Sequence, residues 1–403
     1  MKNIISIYRN SFSNLQSNIW ILGFITFINR SGAMVIVFTS LYLTNDLHYS
    51  IADAGVIMSF YGIGSVLGAY TGGWLTDRYN FYDIMIFSLI SCGLILLSFP
   101  FVTSKIFLSA IIFIYAFTCD MFRPANAAAI AAYSTPDNRT RSVSLIRLAI
   151  NLGFSIGPAI GGFIAMYVGY KWLFIIDSAT SVGAAIGLMI YLPRKVVAKN
   201  KDSKAILNDS STSAYRDFKY LFFIVLVALY AISFFQIFVS IPQYLSNVCK
   251  YNEDTIGMLM ALNGLLIVVM EMPIVAFLEK KNKGFAFIIA GALCISVSYF
   301  VLVLGQNSLL AIVMFIVIMT CSETLAMPFM MNYSLSHPKK ERQGQYSALY
   351  SIAWGLGFIF APLIGPIIAD NFNFSWMFYF FIGLGLLTAL GFSFHSKKQP
   401  LKK

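Results

Sequence analysis

Charge is scarce in this chain. Of its 403 residues, 11% are Asp, Glu, Lys or Arg, while 58% are hydrophobic. A water-soluble domain carries about a quarter charged residues, so the composition excludes an ordinary soluble enzyme. Reactive side chains are scarce as well. His48, His337 and His395 are isolated from one another. Cys92, Cys119, Cys249, Cys294 and Cys321 are odd in number and show no CxxC spacing. That argues against a disulfide framework and a metal site. HExxH, Walker A and GxSxG patterns are all missing, and with them the constellations of common hydrolases and nucleotide enzymes. No enzyme activity, cofactor or metal is expected.

Long apolar runs take the place of these features. A membrane helix needs roughly 20 such residues, and runs of that length recur along the chain. We read twelve spans, near 18–43, 53–75, 83–102, 106–131, 142–167, 171–192, 218–246, 255–278, 284–304, 308–333, 344–368 and 374–396. Irregular backbone cannot face lipid, so the expected fold class is all-α. The first run, from Trp20 to Leu43, is too long for the apolar region of a cleavable signal.

The formal net charge of +11 does not point to nucleic acid, because the basic residues lie in short connections and at the ends. An acidic lipid surface suits them better. One set of connections holds Lys2, Arg9, Arg78, Arg139, Arg141, Arg194, Lys195, Lys280, Lys339 and Arg342; the opposite set shows only Lys105, Lys171 and Lys250. The positive-inside rule then makes both termini cytoplasmic, as an even number of spans requires. The expected location is a bacterial cytoplasmic (inner) membrane. Residues 193–217 form the one long polar connection, read as a cytoplasmic linker between a six-span bundle at 1–192 and a second at 218–403.

The two halves are related. A shift of 204 residues places Pro124 on Pro328, Gly153 on Gly357, Pro158 on Pro362, Gly161 on Gly365 and Trp172 on Trp376. A shift of 202 pairs Tyr42-Leu43 with Tyr244-Leu245, Gly55 with Gly257 and Gly62 with Gly264. Matches of Pro, Gly and Trp at a nearly constant shift indicate parallel repeats about an axis along the membrane normal.

Span two ends in Gly72-Gly73-Trp74-Leu75-Thr76-Asp77-Arg78, span four carries Arg123-Pro124, and span five carries Gly153 through Gly162 with Gly157-Pro158 inside it. Together with the two six-span repeats, these features resemble the major facilitator superfamily over nearly the whole chain. Gly73, Asp77 and Arg78 match its motif A, Arg123 its span-four arginine, and Gly153, Gly157, Pro158, Gly161 and Gly162 its motif C, which is associated with drug–proton antiporters. Motif A departs from the pattern after Arg78, where Asn80, Phe81 and Tyr82 stand in place of a glycine and two basic residues and are followed by Asp83. Gly64, Gly68 and Gly72 form one helical stripe, and Gly153, Gly157 and Gly161 another; small residues let helices approach closely in lipid. The resemblance implies that both stripes sit between the halves and that Asp77 latches the outward-facing state.

Charges inside the spans cost about 2.5–3.5 kcal/mol each on insertion scales, so they mark function. Arg30 lies in span one, Asp120 and Arg123 share a face of span four, Glu323 lies in span ten, and Glu271 lies toward the cytoplasmic end of span eight. Asp177 and Arg147 read as shallower. The resemblance implies that spans one, four, seven and ten line a central cavity. Arg30, Asp120, Arg123 and Glu323 are thus the main candidates for proton coupling, followed by Glu271. A static Arg30–Asp120 ion pair is the structural alternative. Phe235, Gln236, Met327 and Met330 are candidates for an apolar substrate cavity, since Met and Phe suit an adaptable pocket.

The expected protein is a secondary transporter that exports a small amphipathic or organic-acid solute, such as a drug, metabolite or siderophore, in exchange for protons. A proton-coupled importer of a nutrient on the same fold is the alternative. A receptor that transports nothing would have no use for Arg30, Asp120 and Glu323. A monomer is expected, with small-molecule substrate, proton and membrane lipid as its partners.

Overall fold

The computed structural model describes residues 15–32, 34–135, 138–195, 214–279, 281, 283–336 and 343–397. Twelve helices in it are long and apolar enough to cross a membrane. The first six are Ser17–Asp46, Ile51–Thr76, Phe81–Phe101, Lys105–Tyr133, Leu145–Tyr167 and Tyr170–Tyr191. The second six are Phe218–Asn247, Glu253–Val275, Gly284–Gly305, Leu309–Ser334, Ala348–Asn371 and Phe374–Lys397. No strand forms among the described residues. Every expected span is present, because a helix alone satisfies its own backbone in lipid. Most of the linker, residues 196–213, lies outside the described residues, as do Lys2, Arg9, Lys280, Lys339 and Arg342.

Among the described residues three spans are interrupted, and the interruptions fall beside polar groups. Span one stops at Ser31 and restarts at Met34; span seven stops at Phe234 and restarts at Gln236. The helix stops at Ser31 and Phe234 are 203 residues apart, within a residue of the shift between the halves, so the break belongs to the repeat. In span seven the Gln236 side chain repairs it. Its Nε2 donates to the carbonyls of Ile232 at 3.2 Å and Ala361 at 3.0 Å. Span four breaks at Met121, between Asp120 and Phe122. Pro124 explains this: it has no N–H to give the carbonyl of Asp120, and its ring crowds that carbonyl.

The repeat also shows in the turns after spans one and seven. Leu47 N–H donates to Tyr42 and Tyr49 N–H to Leu43; 202 residues on, Cys249 donates to Tyr244 and Tyr251 to Leu245. His48 and Lys250 occupy the same place in each turn, both with φ of 58°, a left-handed conformation that non-glycine residues seldom adopt.

The chain forms two compact units. One comprises Met1–Thr39, Ile63–Ala198 and Glu253–Leu265, the other Ser40–Gly62, Lys199–Asn252 and Leu266–Lys403. In the first unit spans one, three, four and six enclose a core that includes Leu22, Ile25, Met85, Leu89, Phe122 and Leu188. The same unit packs the start of span eight into span five. A Cβ on Gly264 would lie 2.7 Å from Ser155 Cα, and Ser155 Oγ donates to the Ala261 carbonyl at 3.1 Å. In the second unit the start of span two packs onto span eleven, where a Cβ on Gly62 would lie 2.6 Å from Ile359 N.

Candidate functional site

The glycine stripes position the buried charges, though not from the place the resemblance implied. Gly64, Gly68 and Gly72 face span four within their own half: an added Cβ would run into Phe113, Phe117 and Met121 respectively. Gly153 and Gly157 face span one at Arg30 and Ser31, and Gly161 faces Met34. Contact with span eight instead comes from other positions of span five, with Gly162 against Glu253 and Pro158 O against Gly257. The stripes therefore bring spans two and four, and spans one and five, to backbone contact around the charged residues.

Asp120 is the centre of this arrangement. It is 1% exposed. One carboxylate oxygen accepts from Arg123 Nη2 at 3.0 Å, the i,i+3 pairing expected on one helical face. The other oxygen accepts from the hydroxyl of Ser65 on span two. Ser65 follows Gly64, and the close approach made by Gly64 and Gly68 delivers that hydroxyl. Sequence reasoning missed Ser65; a hydroxyl flanking a small-residue stripe was the available signal. The two members of the ion pair differ sharply, since the Arg123 side chain is 57% exposed and that of Asp120 is 2%. No ion pair joins Arg30 to Asp120 among the described residues, so the static pair is not formed. Arg30 is half-buried, with its Cβ 2.7 Å from the place a Cβ on Gly153 would occupy.

In the second unit Glu323 is half-buried near the middle of span ten, close enough to Tyr230 of span seven to interact with it electrostatically. The Tyr230 hydroxyl shares a hydrogen bond with Ser322 at 2.9 Å, and Ser322 donates to the Gly291 carbonyl. Glu271 is half-buried on span eight. Three of the four residues expected to line a cavity are instead packed between helices. Phe235 stacks on Phe358 with ring centroids 3.9 Å apart. Gln236 is wholly buried in the repair of span seven, and Met330 is 0% exposed. Met327 is half-buried.

At the end of motif A, Arg78 lies over the Trp74 ring, 3.7 Å from its centroid. Gly73 has open space around it. The side chain of Asp77 lies outside the described residues. The departure from the motif has a structural counterpart: Asp83, just past the positions where the motif carries basic residues, pairs with Arg194 at 2.5 Å. Asn80 Nδ2 donates to the Lys195 carbonyl, and Lys195 Nζ to that of Ala132. The network closes onto the residues after span six.

Fold, repeat and buried charge define an integral multi-pass membrane transporter. A model of the Major Facilitator Superfamily matches residues 19–362 and 339–403, and the chain belongs to that family. It is 24% identical to multidrug resistance protein 2 of Bacillus subtilis, over 96% of each chain. It is 23% identical to a Na(+), Li(+), K(+)/H(+) antiporter of Planococcus maritimus, over 87% of this chain and 89% of that one. The crystal structure of a POT family transporter in complex with a thioalcohol-conjugated peptide superposes with a TM-score of 0.80 at 15% identity, covering 96% of this chain and 97% of that one. A bacterial homolog of the human lysosomal transporter Spinster, inward-facing and unoccupied, gives a TM-score of 0.74 at 16% identity, covering 94% of this chain and 96% of that one.

Proposed function

We propose that this transporter exports a small amphipathic or organic-acid solute in exchange for protons, with Asp120 as a proton carrier. One observation carries the reading: a wholly buried carboxylate is paired with an arginine that is more than half exposed. Arg123 lies ten residues from the end of span four at Tyr133, about 15 Å at helical rise. A guanidinium exposed to lipid at that depth would be costly, so its exposed face meets water. An exposed pair is worth about 1 kcal/mol or less, whereas breaking a fully buried pair costs about 3–5 kcal/mol. This pair is exposed on one side only: Arg123 stays solvated when it leaves, but Asp120 is left as an uncompensated buried charge unless it takes up a proton. Asp120 then keeps only Ser65, and a buried carboxyl without its cation favours the neutral, proton-bound form. Solute or access state could in this way decide whether the proton is held.

The rest of the reading follows the family architecture. Halves 1–192 and 218–403 would rock about the breaks in spans one, four and seven. The crossings of span eight on span five, and of span two on span eleven, would part when the outer side opens. Both termini and the linker 193–217 would be cytoplasmic, in the cytoplasmic membrane of a bacterium. Relatives named for multidrug resistance and for cation/H(+) antiport support export and proton coupling. Glu323 and Glu271 are the further carboxyl candidates, with Arg30 as a cationic group of the pathway and Met327 as a lining residue.

The test is gradient-driven transport in proteoliposomes, with cationic dyes and organic acids as probes. Asp120→Asn should lose accumulation driven by a pH gradient while keeping solute exchange at equal pH. An Asp120→Asn protein that concentrates solute like the parent would remove Asp120 as the carrier.

A further inference from the structure

Asp177, in span six, takes no part in the arrangement around Asp120. The sequence places it nearer one end of its helix than Asp120. The structure nevertheless buries it as fully, at 1% exposed. One oxygen, Oδ2, accepts from the hydroxyl of Tyr115 on span four at 3.3 Å. The other, Oδ1, is buried and has no hydrogen-bond partner. It is aimed at the interruption of span one: a Cβ on Gly32 would fall onto this carboxyl. Gly32 is thus where the broken span touches a carboxylate, and the absence of a side chain there permits the contact.

The groups that the structure places against Asp177 are neutral or weakly acidic. Span four supplies Tyr115 and the buried thiol of Cys119; span three supplies the buried thiol of Cys92, close enough to interact with both Cys119 and Asp177. Thr180, one turn on in span six, donates to the Asp177 backbone carbonyl. Arg30, the nearest cationic residue along span one, makes no ion pair with Asp177 among the described residues. A carboxylate buried without a cation, and with one oxygen unsatisfied, is a high-energy species. The neutral acid is not. Tyr115 donates to Oδ2, which therefore serves as the carbonyl oxygen, and a proton on Oδ1 faces the end of a helix. Such an end presents carbonyls without intrahelical donors.

We infer that Asp177 is a second proton-binding site of this transporter, occupied by a proton on Oδ1 while span one is seated against it at Gly32. The step is a simple protonation: carboxylate plus a proton from the aqueous side gives the acid, and the reverse returns the proton to water. Losing that proton leaves a charge against Gly32, and the two halves of span one must separate or admit water to solvate it. The break in span one would then respond to protonation independently of Asp120. This rests on the coupling reading above only for its role in transport, and the experiment keeps the two apart.

The test is pH-difference infrared spectroscopy on the full-length protein in lipid, read at the C=O stretching band of protonated carboxyls. Asp177→Asn should remove a band that Asp120→Asn leaves in place. Tyr115→Phe, which retains the carboxyl, should move the same band to higher frequency through loss of its hydrogen bond; it also serves if Asp177→Asn does not fold. In proteoliposomes Asp177→Asn should lower the number of protons moved per solute. Spectra of Asp177→Asn that match the parent, or a band in Tyr115→Phe that stays in place, would overturn the assignment. A band that disappears on adding sodium at fixed pH would also overturn it, in favour of a monovalent-cation site. Should the parent prove indifferent to a pH gradient while the band behaves as expected, the coupling reading fails and the proton site stands.

Discussion

Gly72 and Gly73 are neighbours in motif A with opposite surroundings, and the same substitution should therefore have opposite effects. A Cβ on Gly72 would lie 2.7 Å from Met121 Cα, 2.8 Å from Met121 O and 3.0 Å from Pro124 Cγ. Two of these are backbone atoms at the break of span four, so no side chain can turn aside. Span two must retreat by about 0.7 Å to restore ordinary contact, and overpacking of this kind costs about 1–3 kcal/mol. The displacement matters because Ser65 lies two turns earlier on the same helix and reaches Asp120. A Cβ on Gly73 meets nothing within 4 Å. Alanine there should be neutral, or stabilise the helix by up to about 1 kcal/mol through propensity alone. Thermal unfolding of the purified protein should show a lower midpoint for Gly72→Ala and no loss for Gly73→Ala. Gradient-driven transport should fall several-fold in the first and hold in the second. Equal behaviour of the two variants in both assays would refute the argument that close approach of spans two and four positions the Asp120 carboxylate.

Arg123→Lys keeps a charge but not the planar fork; proteoliposomes should show slower transport with folded yield intact, because the pair is more than half exposed on the arginine side. Cys249 lies between spans seven and eight, where burial pushes its thiol above the ordinary value against a smaller opposing effect of Tyr244. Thiolate is the reactive form, so labelling by an impermeant maleimide should be slow at pH 7, quicken as pH rises toward and beyond 9, and proceed from outside intact cells. Tyr170→Phe removes the donor to Glu253 Oε1 at 2.5 Å; a cysteine placed at Ser155 in a cysteine-free background should label faster in this variant as span eight loosens from span five.

The fold was legible because its main signal is one-dimensional. Runs of apolar residues must become helices in lipid, and all twelve did so, with edges displaced by only a few residues. The interruptions were less visible. Pro124 announces the break of span four, whereas the breaks of spans one and seven carry no proline at the break itself, only a polar or small residue in an apolar run. Side-chain direction was the harder part. Gln236 and Phe235 look like lining residues on a hydrophobic helix, yet one repairs its own backbone and the other stacks on Phe358. Asp120 and Arg123 were readable from spacing alone, since residues three apart on a helix must meet. Ser65, Tyr115 and the orphaned oxygen of Asp177 depend on which helices touch, and the sequence places no constraint on that beyond the glycine stripes.

The paired turns at His48 and Lys250 bear on the history of the chain. A left-handed residue that is not glycine is held at a cost of about 1–2 kcal/mol, and here it is held twice, 202 residues apart, by the same backbone hydrogen bonds. Histidine and lysine share no chemistry that would choose this conformation. What the two sites have in common is the path of the main chain from one span to the next. A single ancestral six-span unit, duplicated and joined, would hand down that path to both copies while the side chains drifted. The turn is then a fossil written in backbone hydrogen bonds, older than either of the residues that now occupy it.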